Sequence, residues 1–249
     1  MKKWTYIIIG FLMFSCDSEN ASDCFQTVGN IVEQEFSVAS FNKVLVNRDV
    51  ELIIKQGAEQ QIVVQTGDNL LNDVTVEVID GQLILSDNNS CNFVRDFGVT
   101  KVFVTTPNLT DIRCSTQFEI KSDGVLAFEN LNLISEDFNV SDTFPIGDFR
   151  LNLDVQNLRI VSNNLSFFYL SGEVEDLNIN FASGDGRFEG KDLIAQNISI
   201  FQRGSNDMLV NPKQSIRGTI FSTGNVISFN KPPIVEVEEV FKGRLIFTD

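Results

Sequence analysis

The chain has 249 residues, 43% apolar and 21% charged, a composition suited to one large globular domain or two small ones. Its 34 acidic residues against 19 basic ones give a formal charge of −15, which repels a nucleic-acid backbone, so no nucleic-acid partner is expected. Histidine is absent, which excludes Ser-His-Asp and Cys-His catalysis and every metal site that needs imidazole.

Lys2 and Lys3 precede an apolar run, Ile7 to Phe14, that ends at Ser15-Cys16, the pattern of a signal peptide over residues 1–15. The run is far shorter than the roughly 20 apolar residues that span a bilayer. Met13-Phe14-Ser15-Cys16 resembles a bacterial lipoprotein lipobox, with Phe14 bulkier than the usual small residue there. That resemblance implies a diacylated Cys16 thiol, cleavage before Cys16, and acylation of the new amine. Each buried methylene contributes about 0.8 kcal/mol, so several acyl chains hold a protein on a membrane where one does not. Residues 1–15 carry two Lys and no acid, so removing them takes the formal charge to −17 and removes Trp4 and Tyr6, leaving Tyr169 as the one tyrosine and no tryptophan. Residues 16–34 then read as lipidated cysteine and acidic tether, beginning Asp17-Ser18-Glu19-Asn20, with the folded domain expected over 35–248. Acidic residues just after the cysteine also resemble the surface-export signal of Bacteroidetes lipoproteins. The expected location is therefore the outer membrane, on its surface or its periplasmic face.

Three cysteines remain beyond Cys16, an odd number for an exported chain. Cys24 follows the tether, Cys91 lies in a polar loop after Asp87-Asn88-Asn89-Ser90, and Cys114 sits among Leu109, Ile112 and Phe118. The preferred pairing is Cys24 with Cys91, leaving Cys114 buried and inert.

From Phe41 to Thr106, short runs alternate apolar and polar residues: Val44-Leu45-Val46, Val50 to Ile54, Ile62-Val63-Val64, Val74 to Ile79, Leu83-Ile84-Leu85 and Val102-Phe103-Val104. That is the period of half-buried strands. Asp80-Gly81 predicts a tight hairpin, because both residues tolerate the positive φ of a type I′ turn. Beyond Leu109, a short apolar cluster led by Asn or Asp returns at positions 130, 157, 176 and 197, and a second series returns at Tyr169, Phe188 and Leu209. Two strand positions per step of about 20 residues suggest the coils of a β-solenoid, with a β-sandwich of short strands as the alternative. Gly172, Gly186, Gly190, Gly204, Gly218 and Gly224 are expected where coils turn corners. After Pro232-Pro233, Val235 to Glu238 and Arg244 to Phe247 read as a closing strand pair that caps the open sheet edge. The fold class is thus all-β, a parallel β-helix or solenoid with N-terminal hairpin strands and a C-terminal capping pair.

Phe41-Asn42-Lys43-Val44, Leu52-Ile53-Ile54-Lys55-Gln56-Gly57, Gly81 to Leu85, and Val102-Phe103-Val104-Thr105-Thr106-Pro107-Asn108-Leu109, with the later coils, resemble the auto-transporter adhesin "head GIN domain" family of Bacteroidetes envelope proteins. The resemblance spans roughly residues 35 to 248. It implies a β-helical, secreted or lipid-anchored protein without an established activity. At Cys114-Ser115-Thr116-Gln117-Phe118 the chain lacks the glycine-bearing turn that the family's name suggests.

The remaining candidates carry little chemistry. Asp185, in a glycine-rich turn, is one carboxylate where Ca²⁺ needs six to eight oxygens. The pairs Glu173/Glu175 and Glu236/Glu238 have the spacing of a solvated strand face, although paired carboxylates also serve glycosidases. Arg150, Arg159, Arg187 and Arg203 are the bases a polysaccharide lyase would need, yet nothing in their local sequence groups them with carboxylates in a recognisable arrangement. Phe167-Phe168-Tyr169 is expected to send Phe168 to one face and its neighbours to the other. The chain therefore reads as a non-enzymatic envelope protein without cofactor or metal. Its expected partners are the membrane, through its acyl chains, and an envelope protein or extracellular polymer, through its polar flank. A carbohydrate-active or glycan-binding β-helix is the alternative.

Overall fold

The computed structural model describes residues 23–89, 91–136 and 144–248. Among them there is no α-helix, and no helix is long and apolar enough to cross a membrane. The strands in chain order are β1 (Ile31–Phe36), β2 (Lys43–Asn47), β3 (Glu51–Gln56), β4 (Gln61–Gly67), β5 (Val74–Ile79), β6 (Gln82–Asp87), β7 (Lys101–Thr106), β8 (Asp111–Ser115) and β9 (Ile120–Leu126). They continue as β10 (Asn130–Ser135), β11 (Phe149–Ser162), β12 (Phe167–Phe181), β13 (Arg187–Gln202), β14 (Met208–Ile220), β15 (Val226–Ser228), β16 (Ile234–Glu239) and β17 (Leu245–Phe247).

The protein is all-β, one sheet that folds back on itself into two walls. The first wall runs β5-β6-β2-β8-β10, then the C-terminal halves of β11 to β14, then β16. The second runs β1-β4-β7-β3-β9, then the N-terminal halves of β11 to β14, then β15 and β17. Pairing is parallel except at the N-terminal end, where β1, β4 and β7 alternate in direction and β5 turns back on β6. In that hairpin Asp80 and Gly81 have φ of 50° and 74°, the conformation that a two-residue turn demands.

Parallel pairing in register stacks like side chains inside each wall. In the first wall Leu83, Val44, Ile112, Leu133, Ile160, Ile179 and Ile200 succeed one another across neighbouring strands, all buried. In the second, Val64, Val102, Leu52, Ile120, Phe149, Phe168, Phe188, Met208 and Val226 do the same, each with no measurable exposure. The Phe149 and Phe168 rings stack at 4.8 Å and 7°. Both columns belong to one continuous core. A lone rung would leave its inner face wet, so burial comes from the stack.

Buried hydroxyl and amide groups hold the corners. Ser135 Oγ and Ser166 Oγ share a hydrogen bond at 2.6 Å, and the Pro145 carbonyl, 3.0 and 3.2 Å away, accepts from the one whose proton is not used between them. Gln202 donates from Nε2 to the Asn206 carbonyl and accepts at Oε1 from the Gly204 N–H, satisfying turn groups that water cannot reach.

Three expectations change, and one insertion was not foreseen. The fold begins before residue 35, because a short 3₁₀ turn occupies Asp23–Phe25 and β1 pairs with β4 from Ile31 onward. The β2–β3 segment inserts as a rung between β6–β7 and β8–β9. The anticipated closing pair, β16 and β17, do not pair with each other; each extends one wall as a last parallel strand. Gly218 lies within a strand rather than at a corner, with φ of 129° and a position where a Cβ would meet the Ile200 carbonyl oxygen at 1.9 Å.

Candidate functional site

The outward face of the first wall repeats one chemistry from rung to rung. Asn130, Asn157, Asp176, Asn197 and Ser215 stand in register, each at the start of a first-wall segment. Asn157 Nδ2 donates to Asn130 Oδ1 at 2.9 Å, Asn197 Nδ2 to Asp176 Oδ1 at 3.1 Å, and Ser215 Oγ to Asn197 Oδ1 at 2.8 Å. Two residues further along each strand runs a second file of Asn132, Arg159, Asn178, Ser199 and Arg217. The alternation that buries Leu158, Leu177 and Ile198 between them turns both files outward, with Ser215 at the end of the first file itself buried. Together they border a groove of about 780 Å³.

Within that groove Arg217 is engaged, donating to Glu236 Oε2 at 2.9 Å and to Ser215 Oγ at 2.9 Å. Arg159 is exposed and its guanidinium has no partner among the described residues. A free, strongly charged fork amid amide and hydroxyl groups can take an anionic or hydroxylated ligand group in several geometries. The amide oxygens and nitrogens add acceptors and donors at each step of about 4.8 Å, the spacing between strands.

The other grooves are of a different kind. Where the second wall bends into the first, Glu129, Asp154, Glu173 and Glu175 border a groove of about 510 Å³ whose lining contains no base. On the second wall, Arg150, Lys191, Glu189, Asp192 and Tyr169 border about 380 Å³. There Arg150 Nε donates to Glu119 at 2.7 Å and Arg187 pairs with Glu189, while Lys191 and Asp192 have no ion pair among the described residues. The Arg150 guanidinium also lies 4.3 Å from the centre of the Tyr169 ring, and Phe167 meets that ring edge-on at 6.3 Å. The tyrosine's flat surface is thus partly covered.

The candidates named from the sequence are scattered over these surfaces. Phe168 is buried, and Phe167 and Tyr169 lie on the opposite, half-exposed face. Asp185 accepts from Ser205 Oγ at 2.7 Å, and no group of three or more acidic or cysteine side chains among the described residues could hold a metal ion. Glu173 and Glu175 share the acidic groove, whereas Glu236 is bound to Arg217 and Glu238 is exposed. Arg203 is exposed and lies outside these grooves. Cys24 and Cys91 are joined in a disulfide across 67 residues. Cys114 is buried on β8, and burial pushes its thiol up to about 11, so it stays protonated and unreactive at neutral pH. Cys16 lies outside the described residues.

Residues 40–232 match the family model described as "Putative auto-transporter adhesin, head GIN domain". The chain belongs to this head GIN domain family. Its fold is similar to that of a "putative adhesin" from Bacteroides fragilis, with a TM-score of 0.76 and 19% identity over 89% of this chain and 99% of that one. It is also similar to a "putative lipid binding protein" from Parabacteroides distasonis (TM-score 0.60, 15% identity, 90% of this chain and 99% of that one). A "putative adhesin" from Parabacteroides merdae gives a TM-score of 0.57 and 16% identity over 90% of this chain and 99% of that one. At such identities the likeness is one of fold. No curated protein matches the chain. As a member of an adhesin-like family, the chain is an envelope or cell-surface protein of unknown activity. The head GIN domain supplies the two-walled stack, and the polar files belong to its first wall.

Proposed function

We propose that this head GIN domain protein is a non-enzymatic, lipid-anchored protein of the outer membrane. On this reading its stack is a parallel β-solenoid that displays the first wall to an extended polar polymer. The observation that carries the reading is the pair of outward files in the first-wall groove, with Arg159 free among Asn132, Asn178 and Ser199. An extended ligand laid along the stack meets similar donors and acceptors at every rung, so weak contacts add without a deep pocket. The polymer is a hydroxyl-rich chain bearing occasional acidic groups, which Arg159 recognises by charge and the Asn side chains by hydrogen bonds. Anchoring falls to acyl chains on Cys16.

Glycan processing is the second reading, favoured by the Arg150–Lys191–Glu189 groove, although Arg150 and Glu189 are each held in an ion pair. The test is capture of neutral and acidic surface polysaccharides by the full chain. Arg159→Glu or Asn178→Leu should weaken capture several-fold, whereas Asn152→Leu on the second wall should leave it unchanged. Equal capture by all variants would refute the proposed face, and release of new reducing ends would refute the non-enzymatic role. Cys16→Ser should free the protein from membranes.

A further inference from the structure

The two most exposed large apolar side chains among the described residues lie in the segment that follows the disulfide's Cys91. Phe93 is 74% and Phe97 75% exposed, with Val94 and Phe25 more than half exposed. The Phe25 and Phe93 rings approach to 5.8 Å, and the Phe93 N–H donates to the Cys24 carbonyl at 3.0 Å. The segment holding them is braced. Asn92 Oδ1 accepts from the Val94 and Arg95 N–H groups, and Arg95 donates to the Gln26 and Asn89 carbonyls at 3.2 Å each. Outward phenylalanines on a fixed scaffold mark a contact surface rather than a failure to pack.

The place of this patch identifies what it meets. The chain enters the fold at Cys24, and eight residue steps separate Cys24 from Cys16, a reach of at most ~28 Å. If Cys16 is acylated, as proposed above, the patch cannot leave the neighbourhood of the bilayer. We infer that Phe25, Phe93, Val94 and Phe97 rest in the lipid interface and form a second, protein-borne membrane contact beside the acyl chains. Phenylalanine buried at the headgroup boundary supplies apolar area, and two weak signals together orient a protein that one only tethers. Asp96 beside Phe97, and the formal charge of −17 left after removal of residues 1–15, set the preference for zwitterionic over anionic headgroups. The stack is thereby held in one attitude to the membrane.

The experiment uses the membrane-extracted full chain in phosphatidylcholine vesicles, with an environment-sensitive fluorophore at Phe97→Cys or, in a second sample, at Asn178→Cys. The label at 97 should be quenched by nitroxide lipid and shielded from aqueous iodide, and the label at 178 should behave the opposite way. Phe93→Ser should lower the inserted-to-free ratio at 97 by about tenfold, the loss expected for one ring. Phosphatidylglycerol vesicles should weaken insertion. Iodide quenching at 97 equal to that at 178, or insertion indifferent to Phe93→Ser, would overturn the inference. The mass of the N-terminal peptide tests Cys16 separately. An unmodified Cys16 would sink the anchor while the label at 97, read on chain added to vesicles, still decides the patch.

Discussion

Replacing Phe168 by alanine probes the shared interior of the two walls. The ring has no exposed surface, stacks on Phe149 at 4.8 Å and meets Phe181 at 5.7 Å. Removing it loses the transfer free energy of a full aromatic side chain and leaves a void between two rungs, a cost of about 4 kcal/mol. Phe168→Leu keeps most of the volume and should cost about 1.5 kcal/mol. Phe167→Ala, one residue earlier and on the outer face, should cost less than about 1 kcal/mol. Equilibrium unfolding in guanidinium should show the midpoint falling in that order with an unchanged slope. If Phe168→Ala and Phe167→Ala were equally mild, the two faces of β12 would not differ in burial and the stacked interior would be wrong.

Other substitutions probe the backbone, the cross-link and the charges. Gly218→Ala, which places a Cβ against the Ile200 carbonyl at a positive φ, should destabilise by about 3 kcal/mol in the same assay. Replacing Cys24 and Cys91 together by alanine should cost about 4 kcal/mol, from the lost restriction of the unfolded chain. Burial raises the Asp148 carboxyl above its ordinary 3.8, although its oxygen accepts from the Phe167 N–H at 3.0 Å. In that window the native state binds more protons than the unfolded one, so Asp148 favours folding at acidic pH and the benefit fades as pH rises through its folded value. Asp148→Asn should flatten that part of the stability–pH profile, and an unchanged profile would count against the burial.

Much of this architecture is written locally in the chain. Asp80-Gly81 marks its hairpin because the turn's φ values admit few residues. The returning Asn-Leu and Asp-Leu pairs mark the first wall because parallel strands in register repeat both the outward amide and the inward aliphatic group. The insertion of β2 and β3 between later rungs leaves no such trace, since pairing across 39 to 68 residues is decided by which edges meet in space. Nor does spacing show that β11 to β14 each run through both walls without a break. Of the candidate site, Arg159 is visible as one arginine among several. Only the register, which sets it between Asn132 and Asn178, gives it company.

Strand register underlies both the core columns and the outward files, and paired cysteines report it directly. Asn178→Cys with Ser199→Cys occupies neighbouring rungs in register, where Cα atoms about 4.8 Å apart suit a disulfide. Asn178→Cys with Arg217→Cys is two rungs apart, beyond bridging distance. Mild oxidation of the folded protein should close the first pair quantitatively and leave the second open. Closure of the second pair, or failure of the first, would contradict the stacking on which the core and the proposed binding face both depend.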